Sequence, residues 1–302
     1  MIVSIITPSY NQGDFLADTL ESVLTQSGNF FLEYIVIDGG SSDNSVEILR
    51  QFEYELKSGA RSARCKGITF RWHSERDNGQ ADGVNKGFAQ ASGSIFGWLN
   101  SDDTYFPGAI STVVEQMESH LNDVMVYGNA YYTDKRGEIT ERYPSEPFSL
   151  KRLSEKCIVC QPAVFFRSEV LTQVGSLDPN LQASMDFDFW IRIGKRFEGK
   201  IAFIDDYLAT SRMYSENKTC SIRTTVHKES TALLQKHFGY VGGEWIVSCF
   251  YDVIQDFRNI PLTGSAALIL QRLFVLQYLI NVKTLLSLGA FLRTNMYKLF
   301  LH

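Results

Sequence analysis

The sequence of 302 residues contains no apolar run near the ~18 residues that a membrane span needs. Ordinary contents of hydrophobic (44%) and charged (21%) residues likewise exclude a bundle of membrane spans and a disordered chain. The net charge of -5 provides no basic surface for phosphates, so we expect no nucleic-acid partner. The five cysteines are scattered, and no basic leader precedes the first apolar run, so we expect a cytoplasmic location.

Three further absences exclude particular sites. No G-x-G-x-x-G follows the first apolar run, which excludes a Rossmann dehydrogenase. The segment TPSYNQGDF carries no Lys or Arg, which disfavours a nucleotidyltransferase that would need a basic glycine-rich loop there. Cys157 and Cys160 form one C-x-x-C without a second pair at zinc spacing, which gives little support to a metal or redox site.

The first hundred residues alternate apolar runs with amphipathic stretches. Strands are predicted at IVSIIT, LEYIVID, GITFRWH and SIFGWL, and helices between them at DFLADTLESVLTQ, SVEILRQFEYEL and GVNKGFAQA. This alternation predicts a parallel sheet with helices on both faces. Ligands of such sheets bind beyond the carboxyl ends of the strands, which selects the loops Thr7–Gly13, Asp38–Ser45 and Asn100–Tyr105.

The remaining chain has a looser pattern. A hairpin is predicted to turn at Lys135, Arg136 and Gly137, and AVFFRSEVL reads as a strand followed by a helix. MDFDFWIRIGKRF predicts a helix whose Phe187, Phe189 and Trp190 pack in the core. KIAFIDDYLATSRMY predicts two short strands, and residues 226–238 predict a further helix.

Two adjacent carboxylates follow the fourth predicted strand in the segment WLNSDDTYF. Asn, Ser and Asp start turns readily, so Asp102 and Asp103 are compatible with a simple turn before Pro107. They are also the hard oxygen ligands that magnesium or manganese prefers beside substrate phosphates. Asp38, at the end of YIVID, is open to two readings as well: a cap for the next helix, or an acceptor for uracil and ribose groups.

A set of motifs in order resembles a known enzyme family. The segments SIITPSYNQGDFLADTLESVLTQ, YIVIDGGSSDNS, SERDNGQADGVNKGFAQASG, WLNSDD and MDFDFWIRI look like those of the inverting glycosyltransferases of family 2. The likeness runs from Ile2 to about Ser221 at family spacing. It implies an α/β GT-A nucleotide-sugar-binding fold, a Rossmann-like and mostly parallel sheet flanked by helices, as a catalytic domain over residues 1–240. The composition of the tail, which no longer looks like the family, predicts a C-terminal helical extension over residues 241–302.

The resemblance also implies roles for individual residues. Asp186 would be the general base, at a helix start where backbone amides keep a carboxylate ionised. Asp102 and Asp103 would bind a divalent metal, manganese or magnesium, on the diphosphate. Acceptor contacts fall on Gln161 and on Asp188, which lies about 200° around the helix from Asp186 and serves structure or a hydroxyl contact. The residues implied in binding the nucleotide-sugar donor are Thr7, Pro8, Tyr10, Asn11, Asp38, Asp77, Asn85, Asn100 and Ser101.

Two departures from the family pattern concern the metal. Asn100 stands where the motif often begins with Asp, and Tyr214 stands where a metal-binding His often follows Arg. A phenol is a poor ligand for these metals at neutral pH. A non-catalytic descendant that binds nucleotide-sugar or glycan therefore stays open as an alternative. So does a nucleotidyltransferase, because that class can use the same sheet and a similar acidic pair. A processive membrane synthase is disfavoured, because no Q-x-x-R-W follows Asp186.

The segment 264–302 differs in composition from the rest of the chain. Leucines are frequent, and between Phe257 and His302 there are five basic residues and no acidic one. One prediction is an interfacial helix at the inner face of the cell membrane, which would bring the enzyme to a polyprenol-linked glycan acceptor. The other is a helical hairpin packed on the catalytic domain or in a homodimer.

Overall fold

The structure is a computed structural model that describes residues 1–249. The strands in this part of the chain are β1 (Ile2–Ser9), β2 (Ser27–Asp38), β3 (Arg64–Ser74), β4 (Ile95–Trp98), β5 (Thr104–Tyr105), β6 (Met125–Thr133), β7 (Ile139–Arg142), β8 (Val164–Arg167) and β9 (Ile201–Arg212). The helices are α1 (Leu16–Leu24), α2 (Ser45–Lys57), α3 (Gln80–Gln90), α4 (Ala109–Ser119), α5 (Leu150–Glu155), α6 (Glu169–Val174), α7 (Met185–Arg196), α8 (Lys218–Ser221) and α9 (Arg223–Phe238), with a 3₁₀ turn at Gln161–Ala163.

The nine strands of the described residues form one sheet. Their order is β3-β2-β1-β4-β8-β6-β9-β5, and β7 pairs with β6. The first four strands of this order are parallel to one another, whereas β8 is antiparallel to both β4 and β6. Ser9, Asp38 and Ser74 are in register at the ends of β1, β2 and β3. The loops selected from the sequence therefore start from one edge of the parallel half.

Burial on both faces explains the parallel half. In β1 every residue after Ile2 is buried, which matches a continuous apolar run covered by helices on both sides. Helix α1 buries the stripe Leu16, Leu20, Val23 and Leu24 in the same core. The alternating strands and helices predicted for the first hundred residues are confirmed.

The later elements confirm most of the predictions and correct one. The hairpin between β6 and β7 and the helix α7 are present, and Phe187, Phe189 and Trp190 are buried in the core. The two short strands predicted in KIAFIDDYLATSRMY are instead one strand, β9. Its pairing with β6 shifts register between Gly128 and Asn129, so the polar pair Asp205 and Asp206 bulges out without ending the strand.

The chain divides into two compact units. The first unit consists of residues 1–150 and 158–221 and contains the whole sheet. The second consists of residues 151–157 and the residues from 222 onward, of which the structure describes those up to 249. Within the second unit, Arg152 pairs with Glu155 and Glu244 at 3.2 and 2.6 Å.

The predicted boundary near residue 240 and the predicted extension over residues 241–302 stay predictions. The segment 264–302, with its two alternative roles, lies outside the described residues. Among residues 1–249, no helix combines the length and the apolar character that crossing a bilayer demands.

Candidate active site

The loops after β1 and β2, residues 9–13 and 39–45, are bound to each other; we call them the paired loops. Asn11 has a left-handed φ of 51°, and its N–H donates to Ser41 Oγ at 2.7 Å. Asn11 Oδ1 accepts from Ser42 N at 2.9 Å, and Gly13 N donates to Asp43 Oδ2 at 2.8 Å. These bonds hold both loops in one arrangement at the edge of the sheet.

Asp38 connects the paired loops to the sheet. It is fully buried, and its carboxylate accepts from Ser41 Oγ at 2.5 Å, from Ser41 N at 2.9 Å and from Ser74 Oγ at 2.6 Å. Asp38 is therefore a structural acceptor for its own loop and for the end of β3. Its predicted contact with uracil or ribose stays a prediction.

Asp77 lies close to two backbone positions that have no side chain. A Cβ on Gly39 would lie 3.0 Å from Asp77 Oδ2, and a Cβ on Gly83 would lie 3.2 Å from the same atom. Asp77 Oδ1 accepts from Gly79 N at 2.9 Å. The two glycines thus allow this carboxylate to lie between the loop after β2 and helix α3.

Residues 100–103 form the acidic loop, and its inner carboxylate is Asp103. This residue is 3% exposed; its Oδ1 accepts from Arg212 N at 2.8 Å and its Oδ2 accepts from Asn100 Nδ2 at 3.3 Å. Thr19 Oγ1 donates to the Asp103 carbonyl at 2.8 Å. Because protein donors occupy both carboxylate oxygens, the role of Asp103 as a metal ligand stays a prediction.

Asp102 is the half-buried outer carboxylate of the acidic loop. Its Oδ2 accepts from the Tyr214 hydroxyl at 2.9 Å, and its carbonyl accepts from Arg212 Nε at 2.9 Å. The Tyr214 ring packs on Phe15 with centroids 4.9 Å apart, and Arg212 is only 6% exposed. The strand end of β9 therefore supplies the groups that orient Asp102.

Burial and mutual repulsion disfavour negative charge on the acidic loop. Burial, together with the neighbouring Asp102 carboxylate, raises the pKa of Asp103 well above its ordinary value. Burial also raises the pKa of Asp102, although the Tyr214 hydroxyl and the Arg212 guanidinium oppose the rise. Burial and Asp102 raise the pKa of Tyr214, so this phenol is a neutral hydrogen-bond donor. Such a pair of carboxylates favours a bound cation.

Both the oxygen and the nitrogen of the Asn100 side-chain amide hydrogen-bond to protein groups. Its Oδ1 accepts from Gln80 Nε2 at 2.7 Å and from Trp98 Nε1 at 2.9 Å. Its Nδ2 donates to Gln161 Oε1 at 2.9 Å as well as to Asp103. Gln161 in turn donates to the Trp98 carbonyl at 2.5 Å. Hydrogen bonds of Asn100 and Gln161 thus stabilise the conformation of the acidic loop. The predicted contacts of both residues with donor or acceptor stay predictions.

Asp186 begins helix α7, as predicted. Its Oδ1 accepts from the N–H of Phe187 at 2.8 Å. Burial raises the pKa of Asp186 to about 6, while the Phe187 amide and the Lys218 ammonium oppose the rise. A carboxylate with a pKa near the pH of its surroundings suits a general base.

A chain of hydrogen bonds connects the region of Asp186 to the acidic loop. Lys218, whose charge acts on Asp186, donates to Gln80 Oε1 at 3.1 Å. Gln80 donates to Asn100 at 2.7 Å, and Asn100 donates to Asp103 at 3.3 Å. The candidate base and the candidate metal ligand therefore belong to one polar network.

The residues present do not form a metal site made of protein ligands alone. They fit a divalent cation that binds to Asp102 and to the phosphates of a substrate. Among residues 1–249, no group of three or more His, Cys, Asp or Glu side chains converges as a metal centre. Asp102 is a hard oxygen donor with further lone pairs beside its bond from Tyr214. Magnesium and manganese are commonly bound by one or two carboxylates together with substrate phosphates, which is what a single outer carboxylate offers.

Comparison with known proteins identifies the family. The model described as "Glycosyl transferase family 2" matches residues 4–175, more than half of the chain. The chain belongs to glycosyl transferase family 2. It is therefore a glycosyltransferase.

Relatives of this glycosyltransferase carry the same general name. An uncharacterized glycosyltransferase of Mycobacterium tuberculosis H37Rv is 32% identical over 192 residues, which cover 63% of this chain and 68% of the relative. An uncharacterized glycosyltransferase of Methanocaldococcus jannaschii is 24% identical over 291 residues, 93% of each chain. One from Rickettsia conorii is 28% identical over 285 residues, 90% of this chain but 41% of the relative. This chain thus spans less than half of the Rickettsia protein.

A solved structure shares the fold. The crystal structure of S. aureus TarS 1–349 in complex with UDP-GlcNAc has a TM-score of 0.59 and 15% identity. The alignment covers 88% of this glycosyltransferase and 69% of the TarS chain. The predicted GT-A fold is confirmed.

Other predicted site residues have protein partners in this glycosyltransferase. Asn85 donates to the Leu177 carbonyl at 2.9 Å and accepts from the Leu177 N–H at 3.0 Å. Asp188 accepts from Arg192 Nε at 2.7 Å, and Arg192 also donates to the Ser176 carbonyl at 2.9 Å. Asn85 and Asp188 therefore fix the segment before α7, and their predicted donor and acceptor contacts stay predictions.

The remaining predicted residues lie on the strand ends. Thr7 is buried and hydrogen-bonds the Tyr34 hydroxyl at 3.1 Å, and Pro8 is buried in β1. Tyr10 is 61% exposed, whereas Ser101 is 4% exposed. Tyr10 is thus the residue of this group that presents a side chain to solvent.

Sequence reasoning missed how the acidic loop is held. It named Tyr214 as a departure from the family motif, without predicting that Arg212 and Tyr214 both bond to Asp102. It gave no role to Gln80, Lys218 or Lys135. One signal was available: a lone arginine at the end of an apolar strand needs a partner, and the acidic loop is a pair of carboxylates that need a cation.

Proposed function

We propose that this family 2 enzyme transfers a sugar from a nucleoside diphosphate donor, a UDP-sugar, to a hydroxyl of a glycan or lipid-linked glycan with inversion at the anomeric carbon. The UDP assignment draws support from TarS, which shares the fold and was solved with UDP-GlcNAc. The paired loops, Asp38 and Asp77 are the proposed nucleotide side of the site. The acidic loop and Asp186 are the proposed reaction side.

The observation that carries this proposal is the half-buried carboxyl of Asp186 at the start of α7. Its pKa of about 6 leaves it ionised at neutral pH but close enough to neutrality to accept a proton. The charge of Lys218 acts on Asp186, and hydrogen bonds lead from Lys218 through Gln80 and Asn100 to the acidic loop. A carboxylate without a catalytic task would gain stability from a lower pKa, so its raised value supports a role as base.

The proposed step is a single displacement. Asp186 takes the proton of the acceptor hydroxyl as the acceptor oxygen bonds to the anomeric carbon. The bond from that carbon to the diphosphate oxygen breaks on the opposite face, and its electron pair stays on the diphosphate. A single carboxylate base suffices for inversion, because no covalent sugar intermediate forms.

Asp102 is the proposed ligand for manganese or magnesium on the donor. The bound cation would neutralise the charge that develops on the departing diphosphate. Tyr214 would hold Asp102 in orientation through its hydroxyl, and Arg212 would hold the loop backbone. Because a neutral phenol is a poor ligand, Asp102 and the phosphates would supply the protein and substrate ligands.

The proposed acceptor follows from the composition of the C-terminal segment. Residues 264–302 are rich in leucine and carry basic but no acidic residues, which suits the inner face of an anionic membrane. Flotation of the full chain with anionic vesicles, compared with a chain ending at Pro261, tests this placement. Equal flotation of both chains, or flotation of neither at low salt, would reject it.

The experiment that tests the function is a donor screen. Thermal unfolding is measured with a panel of nucleotide-sugars in manganese, and hydrolysis of each stabilising donor is then followed with and without EDTA. We expect one donor class to stabilise the chain and to be hydrolysed in manganese only. A donor that binds but is never turned over, with metal and with any glycan acceptor, would favour the non-catalytic alternative.

A further inference from the structure

The hairpin between β6 and β7 has a tightly bonded turn that carries Lys135. Asp134 Oδ1 accepts from Arg136 N at 2.8 Å and from Glu138 N at 2.9 Å. Gly137 N donates to the Asp134 carbonyl at 3.0 Å, and its φ of 86° suits glycine. The position of the Lys135 backbone is therefore fixed by its own turn.

One buried guanidinium fastens this turn to the acidic loop. Arg212 Nη1 donates to the Lys135 carbonyl at 3.0 Å, and Arg212 Nε donates to the Asp102 carbonyl at 2.9 Å. A third contact joins Arg212 Nη2 to Asp18 Oδ2 at 3.1 Å. The backbones of Lys135 and Asp102 are thus held close to each other by Arg212, although 33 positions separate them in the sequence.

The ammonium of Lys135 lies over two aromatic rings beside Asp102. Its Nζ is 5.9 Å from the centroid of the Phe15 ring and 5.9 Å from that of the Tyr214 ring. The Tyr214 hydroxyl donates to Asp102 Oδ2, so one ring contacts both the ammonium and the acidic loop. Within residues 1–249 the Lys135 Nζ forms no ion pair within 4.0 Å. Contact with ring faces leaves its N–H donors available to a ligand.

We propose that Lys135 binds the diphosphate of the nucleotide donor and stabilises it as it leaves. This inference rests on the proposed function, because that function supplies the diphosphate. Two desolvated carboxylates beside the phosphates would repel them, so an ammonium over the Phe15 and Tyr214 rings lowers the cost of bringing the donor in. When the sugar–oxygen bond breaks, its electron pair stays on the diphosphate oxygen, and the Lys135 ammonium compensates the added charge while Asp186 takes the acceptor proton.

Calorimetry on the full chain tests this assignment with UDP and uridine in manganese. In Lys135→Ala we expect the affinity for UDP to fall about tenfold, because a charge-assisted bond to phosphate is lost, and the affinity for uridine to stay unchanged. Lys135→Arg should restore most of the UDP affinity. Arg136→Ala removes the same charge from the next position of the turn and should change UDP affinity less than twofold.

The outcomes separate this inference from the proposed function. If Lys135→Ala binds UDP as the wild type does, or loses uridine and UDP affinity equally, the assignment is wrong. Thermal unfolding of Lys135→Ala should match that of Arg136→Ala, which shows that the turn is intact. If the wild type binds no nucleoside diphosphate from a panel of UDP, GDP, ADP and dTDP, the proposed function falls and this inference falls with it.

Discussion

The paired loops and the acidic loop are held in opposite ways. Asn11 and Gly13 of the paired loops bond to Ser41 and Asp43, each 30 positions away, in the loops that follow the neighbouring parallel strands β1 and β2. The acidic loop takes its bonds from Arg212 and Tyr214, which are 109 to 112 positions away. The paired loops therefore need only the first strands of the sheet, whereas the acidic loop needs β9 as well.

This difference separates two tasks. A surface completed by adjacent loops suits recognition of the nucleotide, which the first strands provide without the rest of the chain. The acidic loop becomes oriented only when β9 pairs beside β6 and brings in the guanidinium and the phenol. We therefore expect the reaction side to depend on residues that no short motif contains.

The largest expected effect is that of replacing Asp186, which tests whether the reaction side can be lost while the nucleotide side still binds the donor. Asp186→Asn should lower sugar transfer about 100- to 10,000-fold, because an amide cannot take the acceptor proton. Donor affinity should stay unchanged, because the nucleotide side is intact. Steady-state rates with donor calorimetry measure both quantities.

A matched control for that variant is Asp206→Asn. Asp206 also accepts from the N–H of the following residue, at 2.8 Å, but it lies exposed on β9. It should retain wild-type transfer. An Asp186→Asn variant that kept half its turnover would show that the acceptor proton goes elsewhere.

Removing the buried guanidinium of Arg212 should disrupt the acidic loop on the reaction side. Arg212→Met leaves the Asp102 and Lys135 carbonyls without their donor and the two acidic-loop carboxylates without their cation. We expect the free energy of unfolding to fall by about 2–5 kcal/mol, because two carbonyl groups lose their charged donor. Urea unfolding measures it, and the exposed Arg136→Met should stay within about 0.5 kcal/mol of wild type. A similar small loss for Arg212→Met would mean that the loop is held by other contacts.

The raised pKa of Asp186 makes a prediction about stability with a definite sign. Since folding raises this pKa from 3.8 to about 6, the ionised form is disfavoured in the folded chain, and the contribution of Asp186 to stability falls as pH rises from about 4 to 6. Asp186→Asn does not titrate, so its stability relative to wild type should grow over that range to about 3 kcal/mol and then level off. Thermal unfolding between pH 4 and 8 checks this. A constant difference across the range would contradict the raised pKa.

The smallest expected effect is in the paired loops. Ser41→Ala removes the bond to Asp38 and the acceptor for Asn11 N, at an expected cost of about 1–2 kcal/mol. Ser42→Ala loses one weak contact of 3.4 Å to Asn11 and serves as the control. If the two regions are independent, the costs of Ser41→Ala and Arg212→Met should add within about 0.5 kcal/mol in the double variant. Strong coupling would show that the division is wrong.

The sequence predicted the fold and the positions of the loops because strand and helix periodicities are local. Asp186 at the start of α7 and Asp102 at the end of β4 followed from the same patterns. The amides of Asn85 and Gln161 bond to backbone carbonyls 92 and 63 positions away, which depends on long-range packing. The continuous strand β9 was mistaken for two strands because a bulge at Asp205 looks like a turn in sequence. A lone arginine and a pair of carboxylates indicate that each needs a partner, but the bonds of Arg212 and Tyr214 to Asp102 depend on the pairing of β9 beside β6, which no local pattern specifies.

The most direct test of the central claim is calorimetry of UDP with manganese on the wild type and Asp102→Asn. The account predicts that manganese strengthens UDP binding to the wild type, and that Asp102→Asn loses this gain while it retains metal-free binding and the wild-type unfolding temperature. Glu118→Gln, which removes an exposed charge on α4, should behave as wild type. Unchanged manganese-dependent affinity in Asp102→Asn would contradict the claim that the acidic loop holds the donor diphosphate through a cation.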